Sequence, residues 1–108
     1  MTPLFKIELS DLIALVCNHY NMTKDELSLP GKHAKQSHVR GVLSLLVREL
    51  DGLSLENLGM VLNREASGLS KLAARLEIKC KKSEIIANEV HKLQQLILAK
   101  SRMSECQA

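Results

Sequence analysis

Apolar residues recur along most of this chain at the spacing of one helical face. Over residues 8–20 they fall at Leu9, Leu12, Ile13, Val16 and Tyr20. That stripe predicts an amphipathic helix, started by Glu8 or Ser10 and stopped by Asn21. Thr23-Lys24-Asp25-Glu26 has the form of a capping box, in which the Thr hydroxyl and the Glu carboxylate each take a backbone N–H of the other residue. It predicts a short helix ending near Ser28. Leu29-Pro30-Gly31 then breaks the chain, because Pro followed by Gly is a strong turn signal. Residues 31–38 are polar and basic with no apolar stripe and read as a loop or arm. The stripe returns over 38–50, with Val39, Val42, Leu43, Leu46, Val47 and Leu50 inward. Gly41 weakens that third helix by about 1 kcal/mol relative to Ala.

Asp51-Gly52 ends the third helix. Ser54 is a good N-cap for a fourth helix over 55–62, and Leu53 and Leu58 stand where a hydrophobic staple would hold its entry. Gly59, inside this helix, either costs stability or lets another helix come close. Asn63 supplies the next turn. A fifth helix over 65–79 turns Leu69, Leu72, Ala73 and Leu76 inward, with Lys71, Arg75 and Lys79 four apart on another face. Lys81-Lys82-Ser83 interrupts. A sixth helix over 84–102 turns Ile86, Val90, Leu93 and Ile97 inward, with Ile85 and Leu96 beside them. Residues 104–108 read as a loose tail. No strand pattern or internal repeat appears. The expected architecture is all-α: one domain over 1–103, a compact bundle of five to six helices.

Composition narrows the functions open to such a bundle. The 108 residues hold one Tyr, one Phe and no Trp, so the core is aliphatic. Proteins that stack bases on rows of aromatics are excluded, as are sandwiches with aromatic-rich strands. The three cysteines, Cys17, Cys80 and Cys106, are odd in number and lack metal-ligand spacing, which favours free thiols and a reducing compartment. Cys17 sits at an apolar, core-like position. Cys80 stands among Lys79, Lys81 and Lys82 and reads as an exposed spare thiol, or else as one whose pKa the lysines lower. There is no run of about 18 apolar residues and no signal-peptide pattern, so the expected location is cytoplasmic, with no membrane partner.

Net charge is only +3, but it is unevenly placed. Residues 31–48 carry Lys32, Lys35, Arg40 and Arg48 and no acid; residues 64–82 carry six basic residues against Glu65 and Glu77. The 49–63 interval between them is acidic, with Glu49, Asp51 and Glu56. Two basic blocks suggest a polyanion, nucleic acid above all. The second block coincides with the most informative unit of the chain, residues 54–77. There a short helix, a turn and a second helix follow one another, the pattern of a helix-turn-helix. In that motif the first helix braces the second, whose N-terminal turn enters the major groove. The second helix opens Arg64-Glu65-Ala66-Ser67-Gly68. Its small residues, flanked by Arg64 and Lys71, suit a helix end pressed against DNA.

Over about residues 8–98 the sequence resembles domain IV of the bacterial replication initiator DnaA, its C-terminal DNA-binding domain. The first helix ending in Tyr20-Asn21 is similar to the family's, and a basic loop over 31–39 follows at the same place. Arg40, Leu46 and Glu49-Leu50 fit its long helix. Ser54-Leu55-x-x-Leu58-Gly59 is close to the family's Ser-Leu-x-x-Ile-Gly. Asn63-Arg64-Glu65-Ala66-Ser67 falls on its Gly-Arg-Asp-His-Ser/Thr. The resemblance implies that Lys32, with Lys35 beside it, works at the minor groove or backbone. It places Arg40 and Arg48 at or near phosphate-contacting positions, and backbone N–H groups at Ser54 and Leu55 against a phosphate. Arg64, Glu65, Ala66 and Ser67 would lie in the major groove, Ala66 on a thymine methyl and Ser67 donating to a base. Lys71 and Arg75, one and two turns on, are electrostatic candidates by position alone. Glu65-Ala66 replaces the family's Asp-His, and Glu56 stands where Pro is frequent. The run Arg64-Glu65-Ala66-Ser67-Gly68-Leu69-Ser70 is closer to the Arg-Asp-x-Ser-x-Leu-Ser of a sister group, the C-terminal tails of REP-associated transposases.

The expected function is therefore sequence-preferring binding of double-stranded DNA, in replication initiation, transposition or regulation, and association with a bacterial nucleoid. Either parent protein carries its enzymatic domain upstream. No Walker motif is present, and His33 and His38 lie in the expected loop with no carboxylate near, so neither catalysis nor a metal or other cofactor is expected. The rival reading is a helical protein–protein adaptor, docking or weakly dimerising through the 84–102 helix and dependent on Leu93.

Overall fold

The computed structural model describes residues 7–28, 34–50 and 52–106, and within these six helices pack together with the segment 39–47 of one of them buried throughout. The helices are α1 (Leu9–Tyr20), α2 (Lys24–Ser28), α3 (Ala34–Glu49), α4 (Leu55–Leu62), α5 (Ala66–Lys82) and α6 (Glu84–Cys106). No strand occurs among the described residues.

Several boundaries follow from single residues. Asn21 closes α1 in the left-handed region at φ 54°, and the Met22 N–H reaches back to the Cys17 carbonyl at 2.8 Å. Asn63 closes α4 likewise at φ 57°, with the Arg64 N–H on the Gly59 carbonyl at 2.8 Å. These six-residue closures satisfy carbonyls that a helix end leaves without partners. The capping box before α2 forms: Thr23 Oγ1 accepts from the Glu26 N–H at 3.2 Å, and the Thr23 N–H donates to Glu26 Oε1 at 3.4 Å. Ser54 Oγ accepts from the Asn57 N–H at 3.2 Å.

Other boundaries differ from expectation. α3 begins at Ala34, so residues 34–37 of the expected loop are helical. Lys35 and Gln36 are good helix formers, and a helix nucleated by burial of 39–47 propagates into them at little cost. α5 continues through Lys81-Lys82 and stops at Ser83 alone; lysines in a last turn favour the negative end of the helix dipole and do not interrupt it. α6 continues to Cys106, because no Gly or Pro follows Glu84. The expected tail over 104–108 is thus helical as far as 106, and 107–108 lie outside the described residues. The Pro30-Gly31 turn and His33 also lie outside them.

α3 is more deeply buried than a one-face stripe implies. Beyond the expected inward residues, Arg40, Gly41, Ser44 and Leu45 are buried too. α1 and α2 cover one side, α4 and α5 others, and α5 makes the most extensive packing against it. A Cβ on Gly41 would stand 3.2 Å from the Leu72 carbonyl oxygen, so α3 and α5 cross there nearly backbone to backbone. The core is aliphatic throughout: Leu12, Leu27, Leu43, Leu46, Leu58, Leu62, Leu69 and Leu93 are all fully buried. Each contributes about 1.5–3 kcal/mol by leaving water. Cys17 belongs to this core. Leu93 belongs to it as well and not to a docking surface; among the described side chains of α6 the large exposed apolar ones are Ile85 and Leu96. A polar tie joins α1, α3 and α6: the Tyr20 ring meets His38 edge to face, and His38 Nε2 lies 3.6 Å from Glu89 Oε1. His38 therefore does have a carboxylate partner, supplied from α6. The Cα radius of gyration is 13.6 Å, close to the roughly 13 Å of one folded domain of about 100 residues. No helix among the described residues is long and apolar enough to cross a membrane.

Candidate nucleic-acid interface

The candidate site is built on α4, the turn 63–65 and α5. Leu58 and Leu62 anchor α4 to the core while Glu56, Met60 and Val61 face solvent. The turn folds back over Gly59, whose added Cβ would collide with the Arg64 carbonyl oxygen. Gly59 thus makes room for the next turn of the chain and for the start of α5, whose Ala66 N would lie 3.6 Å from an added Cβ. Glu65 precedes α5 in extended conformation (φ −80°, ψ 142°) with no side-chain cap bond. Leu69, Ala73 and Leu76 then pin α5 down, and this fixes which face looks outward.

That outward face is cationic. Ser67, Gly68, Ser70, Lys71, Ala74, Arg75, Ile78, Lys79, Lys81 and Lys82 are all exposed, and none is acidic. Ser67, Lys71, Arg75 and Lys79 stand four apart, drifting about 40° per step around the helix. Among the described residues Lys71, Arg75, Lys79 and Lys35 form no ion pair. The one acid within α5, Glu77, lies on its flank and bonds Arg48 Nη2 through Oε1 at 2.8 Å.

The expected contact residues do not all share this surface. Lys32 lies outside the described residues. Lys35 is exposed, but on a helix and not in a loop. Arg40 is only 3% exposed and donates from Nε to the Gln36 carbonyl at 3.4 Å, so it is a core residue and not a surface phosphate contact. Burial, and then the like charge of Arg64, hold its guanidinium below the ordinary arginine value. Arg48 is exposed but engaged by Glu77. Ser54 is exposed and spends its hydroxyl on Asn57, while Leu55 packs half-buried against the core. Glu56, exposed in the same first turn, opposes a phosphate there. Arg64 is half-buried and lines a shallow hollow with Glu56, Glu65 and Ala66. Ala66 is half-buried, and Ser67 is exposed one residue on. Lys71 and Arg75 are exposed on the same face as Ser67.

The cationic row expected from the four-residue spacing of Lys71, Arg75 and Lys79 is exposed throughout and continues to Lys82. Cys80 is neither exposed nor activated: burial, followed by Glu49, Glu77 and Glu89, raises its thiol above the ordinary value. The lysines beside it in sequence project from other faces of the helix. In comparison with models of known protein families, none matches the chain.

Proposed function

We propose that this chain binds double-stranded DNA, with α4, the turn 63–65 and α5 acting as a helix-turn-helix. The observation that carries the reading is the outward face of α5, which presents unpaired cations along its length and no acid. Exposed lysines without carboxylate partners are free to neutralise phosphates and release their counterions. Small residues at the start of the same helix, Ala66, Ser67 and Gly68, let its first turn approach base edges closely. The ordered resemblance to the initiator's C-terminal domain supports the same placement, and the Arg-Glu-Ala-Ser-Gly-Leu-Ser run supports the transposase-tail variant of it. The acidic side chains Glu56 and Glu65 border the reading turn, so base reading falls to Ala66 and Ser67 and affinity to the lysines.

The test is duplex binding across a salt series. About four phosphate contacts give a slope near −3.6 in log K against log salt, a loss of about two orders of magnitude between 50 and 200 mM. Lys71→Gln weakens binding to all sequences and flattens the slope by about 0.9. Ser67→Ala shifts the preferred sequence in a selection from random duplexes. Absence of salt-sensitive binding overturns the reading. Should the chain instead form a dimer that Ile85→Ser dissociates, the adaptor reading takes its place, since Ile85 is 78% exposed on α6.

A further inference from the structure

α5 crosses α3 near Gly41 and Leu72, and beyond the crossing the two helices part. They leave a groove of about 170 Å³ between the first half of α3 and the second half of α5. Ser37 and His38 line one wall, Arg75 and Lys79 the other, and Gly41 and Leu72 lie at the closed end. Among the described residues no carboxylate lines it. Glu89 approaches His38 from α6 but is not part of the wall. Among the described residues Arg75 and Lys79 form no ion pair, and no hydrogen bond takes the Ser37 hydroxyl. Two free cations and a free hydroxyl thus converge on a space that about five or six waters would fill. Its size and donors suit one phosphodiester and its nearest waters.

The distance along α5 fixes which part of DNA meets this groove. Arg75 and Lys79 lie 8 and 12 residues beyond Ser67, about 12–18 Å up the helix. The major groove is about 8.5 Å deep. A helix whose first turn touches base edges therefore carries Arg75 and Lys79 past the groove's rim, where only phosphates are within reach.

We infer that the groove between α3 and α5, through Ser37, Arg75 and Lys79, seats a single backbone phosphate of the bound duplex. The inference rests on the duplex-binding reading and adds a second anchor to it. The seat tightens binding without reading sequence, because phosphates are alike at every step.

Anisotropy titrations on several duplex sequences across 50–200 mM salt test it. Arg75→Gln/Lys79→Gln empties the seat of one phosphate, flattens the salt slope by about 0.9 and weakens every duplex by the same factor. Ser37→Ala removes a hydrogen bond but no charge. It weakens binding by about threefold to tenfold, with the slope unchanged. A single methylphosphonate, scanned along the duplex, finds one phosphate outside the base-contacted stretch whose neutralisation hurts wild type and not the double variant. Three results overturn the inference. One is an unchanged slope in the double variant while wild type binds normally, which leaves the duplex reading standing. Another is an equal effect from Lys81→Gln/Lys82→Gln, exposed cations outside the groove, which marks diffuse attraction without a seat. The third is wild type lacking salt-sensitive binding, in which case the duplex reading falls as well.

Discussion

At the scale of single residues, two glycines in adjoining helices have opposite surroundings. Gly59 faces the Arg64 carbonyl with no space for a methyl group, whereas a Cβ on Gly68 would meet nothing within 4 Å. Gly59→Ala forces the 63–65 turn off α4 and destabilises by about 1–3 kcal/mol, the usual cost of overpacking. Gly68→Ala gains helix propensity in open space and stabilises by about 1 kcal/mol. Urea melts of the two variants check the contrast, and a loss of stability in Gly68→Ala would count against the placement of that turn. The sequence shows both residues as glycines inside helical patterns. What stands opposite each is set by a turn closure that propensity does not report.

At the scale of elements, α3 and α6 differ in what a leucine is worth. Leu46 is 1% exposed in the central helix and Leu96 is 40% exposed on the outer one. Leu46→Ala costs about 2–5 kcal/mol through lost burial and the cavity left behind, and Leu96→Ala stays within about 0.5 kcal/mol. Denaturant midpoints at constant m-value distinguish them. The apolar spacing of α3 was legible as an inward stripe, and all but half-buried Leu50 of its inward residues are buried. That Arg40 and Ser44 are buried as well was not legible, because a polar residue at such a position normally marks the solvent side. Ser44 manages it by donating to the Arg40 carbonyl at 2.7 Å. Helix starts were best read where one side chain decides them, as at Thr23 and Ser54. Helix ends set by propagation, as in α5 and α6, ran beyond expectation.

For the whole molecule, burial leaves a signature in alkaline stability. Desolvation raises the thiols of Cys17 and Cys80 above 9.0 and the Tyr20 phenol above 10.0. Glu26 adds to the rise at Cys17, and Glu89 at Tyr20. The folded chain then holds these protons more tightly than the unfolded chain. The resulting stability is complete below pH 9 and is lost as pH rises toward the folded values. Melting temperature is expected to hold level up to about pH 9 and fall above it. Tyr20→Phe removes the phenol from this balance and lessens the fall. A melting temperature that rises above pH 9 would contradict this account.

Periodicity and local order along the chain specify the helical class, the caps at Thr23 and Ser54, most of the aliphatic core and the two basic blocks. These depend on periodicity and on neighbours within four residues, which the linear order contains. Which charges stay exposed and which find partners follows from how the helices pack. Arg48 meets Glu77 from a different helix, Arg40 is enclosed by the core, and Ser37, Arg75 and Lys79 come together across a helix crossing. Those outcomes depend on where α3 and α5 touch, and contacts between distant residues set that point. The mild net charge of the chain thus resolves into one helix face of exposed lysines and arginine, while Arg40 is enclosed by the core and Arg48 is held by Glu77.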